Sequence, residues 1–272
     1  MKDNCAYYDH YTPKLLKLLP SKFAEMFAHL LTVFINMPLE KQTEALKKGK
    51  HFFRSYIRPI IKSTTLNATI PKSYRPISVS HTLTVLVERI ITSHYFKTEI
   101  PHNFYGYVKN RSCEFAVKTL KKIVEKKKLD TITLALLDAS AAFESVVWEI
   151  IFPKLAESND SRIIRTIWQM YKFNRNEVRW GKHVSKDYFY STQGTKQGGV
   201  LSGPIFLQYT NFLNDRLKMI PGIDYAGRSW NCLGYADDFI LIGQSMLHLQ
   251  SLLDICTDYQ VTDMLLGMHQ NL

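Results

Sequence analysis

The most constraining feature of this chain is a pair of adjacent aspartates between two short apolar runs. Tyr235-Ala236-Asp237-Asp238 follows the run at 232–234 and precedes the run at 239–243. This pattern predicts a β-hairpin that bends at the acids while both of its strands are anchored in a core. Adjacent carboxylates repel each other and are costly to desolvate, so their place between core strands indicates a bound cation. A polar turn without a cation is the alternative, because Asp is a favoured turn residue.

A second acidic position lies upstream, at the end of another predicted strand. Residues 131–137, Thr-Ile-Thr-Leu-Ala-Leu-Leu, are β-branched and apolar, and they lead into Asp138. If the two elements are neighbours in one sheet, Asp138 and Asp237 converge at one edge, and strand alternation sends Asp238 to the opposite face. Three acids without nearby His or Cys suit Mg²⁺. Two such ions, about 3.5–4 Å apart, would stabilise the attacking and leaving oxygens of a phosphoryl transfer.

Three ordered blocks of the sequence resemble the core palm motifs of reverse transcriptases. They are Leu-Asp-Ala-Ser-Ala-Ala-Phe-Glu-Ser-Val at 137–146, Gly-Thr-Lys-Gln-Gly-Gly-Val-Leu-Ser at 194–202, and Tyr-Ala-Asp-Asp at 235–238. Tyr-Arg-Pro-Ile-Ser at 74–78 and Val-Arg-Trp-Gly at 178–181 are similar to the polymerase of non-LTR retrotransposons, the long interspersed element type. The match runs from about Pro59 to the end of the chain. Several ordered blocks are far more specific than a single tetrapeptide.

The resemblance implies a role for each matching residue. Asp138 and Asp237 correspond to the metal ligands of the family, for two Mg²⁺ ions or, in their place, Mn²⁺. The implied catalytic residues are Asp138, Asp237 and Asp238, and the implied metal set is Asp138, Ala139 through its carbonyl, Asp237 and Asp238. The implied substrate-binding set is Lys62, Arg75, Ala139, Phe143, Gln197, Gly198 and Tyr235.

Several members of the substrate-binding set have a specific implied role. Phe143 would lie beneath the incoming sugar and discriminate against a 2′-hydroxyl. Gln197 and Gly198 belong to a loop that approaches nucleotide and template, and Lys62 with Arg75 would hold the triphosphate. From the residues alone, the simpler alternatives are that Phe143 is a core residue, that Gly198 belongs to an ordinary turn, and that Lys62 and Arg75 are surface charges. Residues 102–112 resemble a fingers block whose aromatic and basic mixture suits base stacking and phosphate contact.

The predicted fold is α+β, with the fingers and palm of a right-hand polymerase and an antiparallel sheet that carries the acids. Residues 1–130 are predicted to be fingers-like and residues 131–272 palm-like. A hairpin is predicted at 177–193. Apolar spacing predicts helices at 21–36, 81–96, 112–128 and 247–266, and two helices within 148–172 that separate near 158–160, with Ser158 or Asp160 as N-cap. In the family a lysine, a primer-gripping hairpin and a helical thumb follow, so an incomplete domain lacking the thumb is expected.

Composition supports a nucleic-acid partner. The 272 residues contain 35 Lys and Arg against 24 Asp and Glu, a net charge of +11, and a basic surface favours binding to a polyanion. No stretch reaches the ~20 consecutive apolar residues that span a membrane. The four cysteines are scattered without a CxxC pair, and the start lacks the features of a secretory signal, so a reduced, intracellular protein is expected. No protein partner can be inferred from the residues.

RNA-templated DNA synthesis is therefore the leading functional hypothesis, with an RNA template, a DNA primer and deoxynucleoside triphosphates as partners. A catalytically inactive, nucleic-acid-binding remnant of a retroelement is the alternative, and it predicts salt-dependent binding without incorporation. An RNA-dependent RNA polymerase, which would share this arrangement of acids in the palm, is a third hypothesis. Phe143 argues against that third hypothesis, because a bulky side chain under the sugar should exclude ribonucleotides.

Overall fold

The fold was obtained as a computed structural model, which describes residues 12–49, 52–126, 132–139, 141–263 and 268–271. The chain forms two compact units, each built from two separate stretches. The first unit comprises Met1–Lys97 and Phe152–Ser202, and the second comprises Thr98–Ile151 and Gly203–Leu272. This division differs from a single boundary near residue 130, and the assignment of fingers-like and palm-like regions to residues 1–130 and 131–272 stays a prediction.

The secondary structure of the described residues mixes helices with short strands. The helices are α1 Pro13–Lys17, α2 Ser21–Asn36, α3 Leu39–Lys48, α4 Thr82–His94, α5 Cys113–Lys126, α6 Trp148–Ser158, α7 Ser161–Lys172, α8 Ser202–Leu217 and α9 Met246–Asp263. The strands are β1 Arg54–Ile61, β2 Tyr74–Ser80, β3 Thr133–Ala139, β4 Arg175–Trp180, β5 His183–Val184, β6 Phe189–Tyr190, β7 Ile223–Tyr225, β8 Arg228–Trp230, β9 Cys232–Tyr235, β10 Asp238–Gly243 and β11 Met268–Asn271.

The first unit contains a mixed sheet in the order β2-β1-β4-β5, with β6 also paired to β4. Strands β1 and β2 are antiparallel, whereas β1 and β4 are parallel. Side chains on one face of β1 and β4 form a buried polar network, in which Ser55 Oγ donates to Asn176 Oδ1 at 2.9 Å and accepts from Asn174 Nδ2 at 2.6 Å. Because buried polar groups must be satisfied, this network fixes the register between β1 and β4.

The second unit contains an antiparallel sheet in the order β11-β3-β10-β9, and a separate hairpin of β7 and β8. Ala135, Leu137, Phe239 and Leu241 are almost fully buried, and the strand pairing places Leu137 opposite Phe239 and Ala135 opposite Leu241. These four side chains share one face of the sheet, since directly opposed residues of antiparallel strands point the same way. The apolar pattern of β3 and β10 therefore anchors the strands that carry the acids.

Most helices predicted from apolar spacing are confirmed. Helix α2 has the predicted bounds, α4 and α5 begin one residue later than predicted, and α4 ends two residues earlier. Helix α9 covers the described part of its predicted range; residues 127–131 and 264–267 lie outside the described residues. Asp160 is the N-cap of α7, where its carboxylate accepts from the backbone N of Arg162 at 2.9 Å. Hydrogen bonds from the Arg162 side chain lower the pKa of Asp160 to about 2. Local capping chemistry thus separates α6 from α7 as predicted.

The predicted hairpin near 177–193 is present, with additional strand pairing. Strands β4 and β5 turn at Gly181, whose φ of 58° is in the left-handed region that suits glycine. Strand β6 also pairs with β4, where Arg175 lies opposite Tyr190. Within the described part of the chain, no helix is both long enough and apolar enough to cross a membrane.

Candidate active site

The two acids of the tetrapeptide lie at a tight hairpin in the second unit. Tyr235 and Asp238 are partners at the end of β9 and β10, so Ala236 and Asp237 form a two-residue turn. Ala236 has a φ of 57°, and a positive φ at the first turn position is typical of a type II′ turn. The predicted hairpin is confirmed, but Asp237 lies in the turn rather than in a strand. Simple strand alternation therefore does not describe Asp237.

Asp138 lies on the strand next to this hairpin. Strands β3 and β10 are neighbours, and the register pairs Asp138 with Asp238. Both side chains project from the same face because the strands are antiparallel. The pKa of Asp238 is raised, first by burial and then by the negative charges of Asp237 and Asp138. Three negatively charged carboxylates therefore lie at one end of the sheet, and Asp238 is the strand partner of Asp138.

The chemistry of these donors fits a hard divalent cation. Carboxylate oxygens are the ligands that Mg²⁺ and Mn²⁺ prefer, and a cation would relieve the repulsion that adds to burial in raising the pKa of Asp238. Over the described residues, however, no group of three or more His, Cys, Asp or Glu side chains is arranged to hold a metal ion. Ala139, whose carbonyl completes the predicted metal set, ends β3 opposite Met268 of β11. The metal roles of Asp138, Ala139, Asp237 and Asp238 stay predictions.

A backbone segment before α5 is hydrogen-bonded to strand β9 of the acidic hairpin. Tyr105 N donates to Gly234 O at 2.8 Å, and Gly234 N donates to Asn103 O at 3.0 Å. The next residue, Gly106, packs so closely that a Cβ there would lie 2.2 Å from the backbone N of Ala236. Residues 103–106 therefore form a support for the acidic turn, and we call them the hairpin support.

Three residues of the block 102–112, for which nucleic-acid contact is predicted, have structural roles in this support; the prediction for the rest of the block stays a prediction. Phe104 and Tyr105 are 0% and 7% exposed, so their rings are core side chains rather than stacking platforms. The guanidinium of Arg111 donates to the carbonyls of Pro101, at 2.7 Å, and of Phe104. The sequence does not distinguish aromatic and basic residues that contact bases from those that pack in the core or bind the chain's own backbone. For Phe104, Tyr105 and Arg111 the structure shows the second use.

An aromatic cluster lies beside the acids in the same unit. Phe143 is partly buried, stacks on Phe206 with ring centroids 4.7 Å apart, and meets the edge of Tyr107 at 5.8 Å. Tyr107 is 54% exposed, and its pKa is raised by partial burial, by the charge of Asp237 and by Tyr235. The sequence places Tyr107 in the fingers block 102–112 but does not predict its contact with Phe143. Phe143 is thus held by rings on both sides, and Tyr235 of the hairpin is itself 38% exposed.

The remaining predicted substrate-binding residues lie in the first unit. Gln197 O accepts from Ser78 N of β2 at 2.7 Å. Gly198 has a φ of 99°, and a Cβ there would approach Ser78 O to 3.2 Å, so both conformation and space favour glycine. Lys62 and Arg75 are exposed near the end of the β1–β2 hairpin, where Lys62 N donates to Ser73 O at 2.9 Å. None of these contacts establishes a substrate, and the binding roles stay predictions.

One face of the first unit's sheet combines arginine with tyrosine. We call this the basic face, and strand register places on it Arg54, Tyr56, Arg58, Arg75, Arg175, Arg179 and Tyr190. Tyr188 joins the basic face through its contact with Arg175. The Arg175 guanidinium carbon lies 3.4 Å from the centre of the Tyr188 ring, and that of Arg179 lies 4.5 Å from Tyr56. Glu177 on the same face is neutralised by Arg54 at 2.8 Å. Stacked Arg and Tyr side chains on a sheet are suited to single-stranded nucleic acid.

Comparison with known proteins agrees with these features. Residues 60–262 match the family described as reverse transcriptase (RNA-dependent DNA polymerase). The chain is 24% identical over 259 residues to the Retrovirus-related Pol polyprotein from type-2 retrotransposable element R2DM of Drosophila melanogaster. That alignment covers 92% of this chain and 23% of the relative, so the chain spans about a quarter of the relative's length.

Solved telomerase structures have a similar fold. Apo telomerase from Candida tropicalis, truncated from its C-terminal domain, aligns with a TM-score of 0.54 at 14% identity, covering 80% of this chain and 49% of that one. Telomerase from Candida albicans, in complex with a fragment of telomeric RNA, aligns with a TM-score of 0.57 at 9% identity, covering 90% and 44%. The α+β fold and the resemblance to non-LTR polymerases are confirmed. The chain belongs to the reverse transcriptase family.

Proposed function

We propose that this chain is the RNA-directed DNA polymerase of a non-LTR retrotransposon, extending a DNA primer from deoxynucleoside triphosphates. One observation carries the proposal: Asp138 and Asp238 are opposed on neighbouring strands, with Asp237 in the adjoining turn, in a chain of the reverse transcriptase family. Three carboxylates at one point of a sheet are costly unless a cation compensates them. Phosphoryl transfer is a reaction that uses such compensation.

Reverse transcriptases generally use divalent metal ions, and we propose two Mg²⁺ ions here, which Mn²⁺ could replace. Asp138, Asp237 and the carbonyl of Ala139 would hold them, with Asp238 as a further acid. Such ions, when bound, stabilise the charge on the attacking and leaving oxygens of the transferred phosphate. The chain's own contribution is to position these acids on anchored strands, so that they need little reorganisation during the reaction.

We assign the basic face to the RNA template. Its arginines provide charge for phosphates, and its tyrosines provide rings on which unpaired bases can stack. The similar telomerase of Candida albicans was solved with a telomeric RNA fragment, which supports an RNA partner for this fold. Lys62 and Arg75 would neutralise the triphosphate, and Gln197, Gly198 and Tyr235 would contact nucleotide or primer–template. An intracellular location remains part of the proposal.

Primer extension tests the proposed function directly. The chain should add deoxynucleotides to a DNA primer annealed to RNA when Mg²⁺ or Mn²⁺ is present, and a chelator should stop the addition because the acids act through a cation. Products should lengthen with the RNA overhang and follow its sequence. A folded chain that binds the annealed primer but incorporates no nucleotide with either metal would refute the assignment.

Phe143 gives a prediction about sugar selection. Replacing Phe143 by Ala should increase the use of ribonucleotides relative to deoxynucleotides by about 5–150-fold, since a steric discrimination of about 1–3 kcal/mol corresponds to that range. The ratio of kcat/KM for each nucleotide pair measures the effect. Phe115→Ala is the control for loss of an aromatic side chain, because Phe115 is exposed on α5 of the same unit. An unchanged ratio in Phe143→Ala would assign Phe143 to the core alone.

The inactive nucleic-acid-binding remnant is favoured by one observation. Within the residues that the structure describes, no group of three or more His, Cys, Asp or Glu side chains is arranged to hold a metal ion. A remnant would bind RNA through the basic face with a steep dependence on salt and would show no incorporation. The extension assay above separates it from the polymerase.

A further inference from the structure

Helix α4 of the first unit contains a buried carboxylate that lies outside the acidic hairpin and the basic face. Glu88 is 1% exposed, and its neighbours Val85, Val87 and Ile91 on the same helix are buried apolar residues. A glutamate in such surroundings is costly unless it is paired and hydrogen-bonded. The partners of Glu88 therefore show what the carboxylate does.

Both oxygens of Glu88 contact the loop that contains Gln197 and Gly198. Oε2 accepts from the backbone N of Val200 at 2.9 Å, and Oε1 lies 3.4 Å from the Nζ of Lys196. The Lys196 side chain is only 8% exposed, and its Nζ lies 5.4 Å from the ring centre of Tyr171, which is also buried. Glu88 thus holds both ends of the stretch 196–200 through one charge-assisted hydrogen bond and one buried ion pair.

The loop is also closed and anchored on its other side. Gly199 N donates to Lys196 O at 2.9 Å, which makes 196–199 a turn. Gln197 O accepts from Ser78 N, so the turn is fixed to strand β2 while Glu88 fixes it to α4. A Cβ on Gly199 would lie 2.6 Å from Ser202 Oγ, so the turn has little room to move. The backbone conformation at Gln197 and Gly198 is determined by these two attachments.

We propose that Glu88 is a positioning residue for nucleotide binding, acting through the backbone of residues 196–200. This inference rests on the proposed function, in which Gln197 and Gly198 contact the incoming nucleotide. A carboxylate suits the task because it accepts from a backbone N–H and from an ammonium group at once, in fixed directions. Apolar packing would bury the helix equally well but would not define the position of Val200 N.

Glu88→Gln tests the inference with nearly unchanged volume. Gln keeps one acceptor but turns an NH₂ group toward either Val200 N–H or Lys196, which are both donors. We expect the exchange of the Val200 amide with solvent to become at least about tenfold faster, as loss of a charge-assisted hydrogen bond implies. In primer extension, KM for deoxynucleotides should rise by about tenfold or more, while Kd for the annealed primer–template changes less than about twofold. Glu44→Gln is the control, because Glu44 pairs with Lys48 at 2.6 Å on an exposed surface.

Folding and activity can be separated in this test. If Glu88→Gln does not fold, the double variant Glu88→Gln, Lys196→Gln removes the unpaired buried ammonium and should fold, again with faster Val200 exchange and a raised KM. Wild-type exchange and KM in a folded variant would overturn the inference. Amide exchange needs no catalysis, so faster exchange at Val200 in a chain without polymerase activity would confirm the anchoring by Glu88 and refute only the proposed function.

Discussion

Replacing Asp237 and Asp238 together by Asn is expected to abolish nucleotide incorporation. The two carboxylates contribute negative charge at the end of the sheet where Asp138 lies opposite Asp238. Asn keeps the size and one carbonyl oxygen but carries no charge, so the cation that neutralises developing phosphate charge would be held weakly. A loss of several kcal/mol in transition-state stabilisation corresponds to a rate reduction of ~10³-fold or more. Single-turnover extension of a primer on RNA measures this directly.

The same variant should fold at least as well as the parent chain. The pKa of Asp238 is raised in the folded state by burial, by Asp237 and by Asp138, which means that folding disfavours its ionised form. The folded state therefore binds the proton more tightly than the unfolded state, and the contribution of Asp238 to stability falls as pH rises through its folded pKa. Neutral Asn side chains remove that cost, so the unfolding temperature at neutral pH should stay constant or increase.

A matched control separates site chemistry from net charge. Asp215→Asn with Asp224→Asn removes two exposed acids of the same unit, one of them paired with Lys218 at 2.8 Å, and should leave incorporation within about twofold. Activity retained in the Asp237 and Asp238 variant, or lost equally in the control, would contradict the assignment of the acidic hairpin as the catalytic centre.

The sequence predicted those parts of the fold that have local signals. The hairpin at Ala236 and the cap at Asp160 follow from turn and capping chemistry within a few residues. The pairing of Asp138 with Asp238 depends on a register between strands about a hundred residues apart, and nothing local distinguishes it from pairing with the turn. The sequence therefore predicted which aspartates form the site, but not that Asp138 pairs with Asp238.

Other features of the structure could not be predicted because they depend on contacts between residues that are distant in the sequence. Glu88 interrupts an apolar helix pattern, which was a usable signal, yet its partners Lys196 and Val200 follow more than a hundred residues later. Phe104 and Tyr105 have the composition of a stacking surface, and only burial shows that they belong to the core. A buried acid among apolar helix residues is the pattern that would have revealed the loop anchor.

The hairpin support gives the second large prediction. Gly106→Ala places a Cβ 2.2 Å from Ala236 N and 2.9 Å from Ala236 Cα, and neither is a flexible side chain that could move aside. The hairpin must shift, and Ala236 already has a positive φ, so the turn has few alternative conformations. We expect a loss of ~2–3 kcal/mol in unfolding free energy, a decrease of ~4–10 °C in Tm, and a fall of ~10²-fold or more in incorporation, since misplacing a catalytic group by about 1 Å costs that much.

Gly227→Ala is the control that isolates the steric cause. Gly227 has a φ of 70°, but nothing lies within 4 Å of a Cβ there, so this substitution costs ~1 kcal/mol of backbone strain without touching the acidic turn. It should lower Tm slightly and leave the kcat of primer extension within about twofold. If Gly106→Ala matched Gly227→Ala in both Tm and kcat, close packing of the support against the hairpin would not determine where the acids lie. A kcat that falls in Gly106→Ala alone would show that the position of Asp237, and not the stability of the unit, limits the reaction.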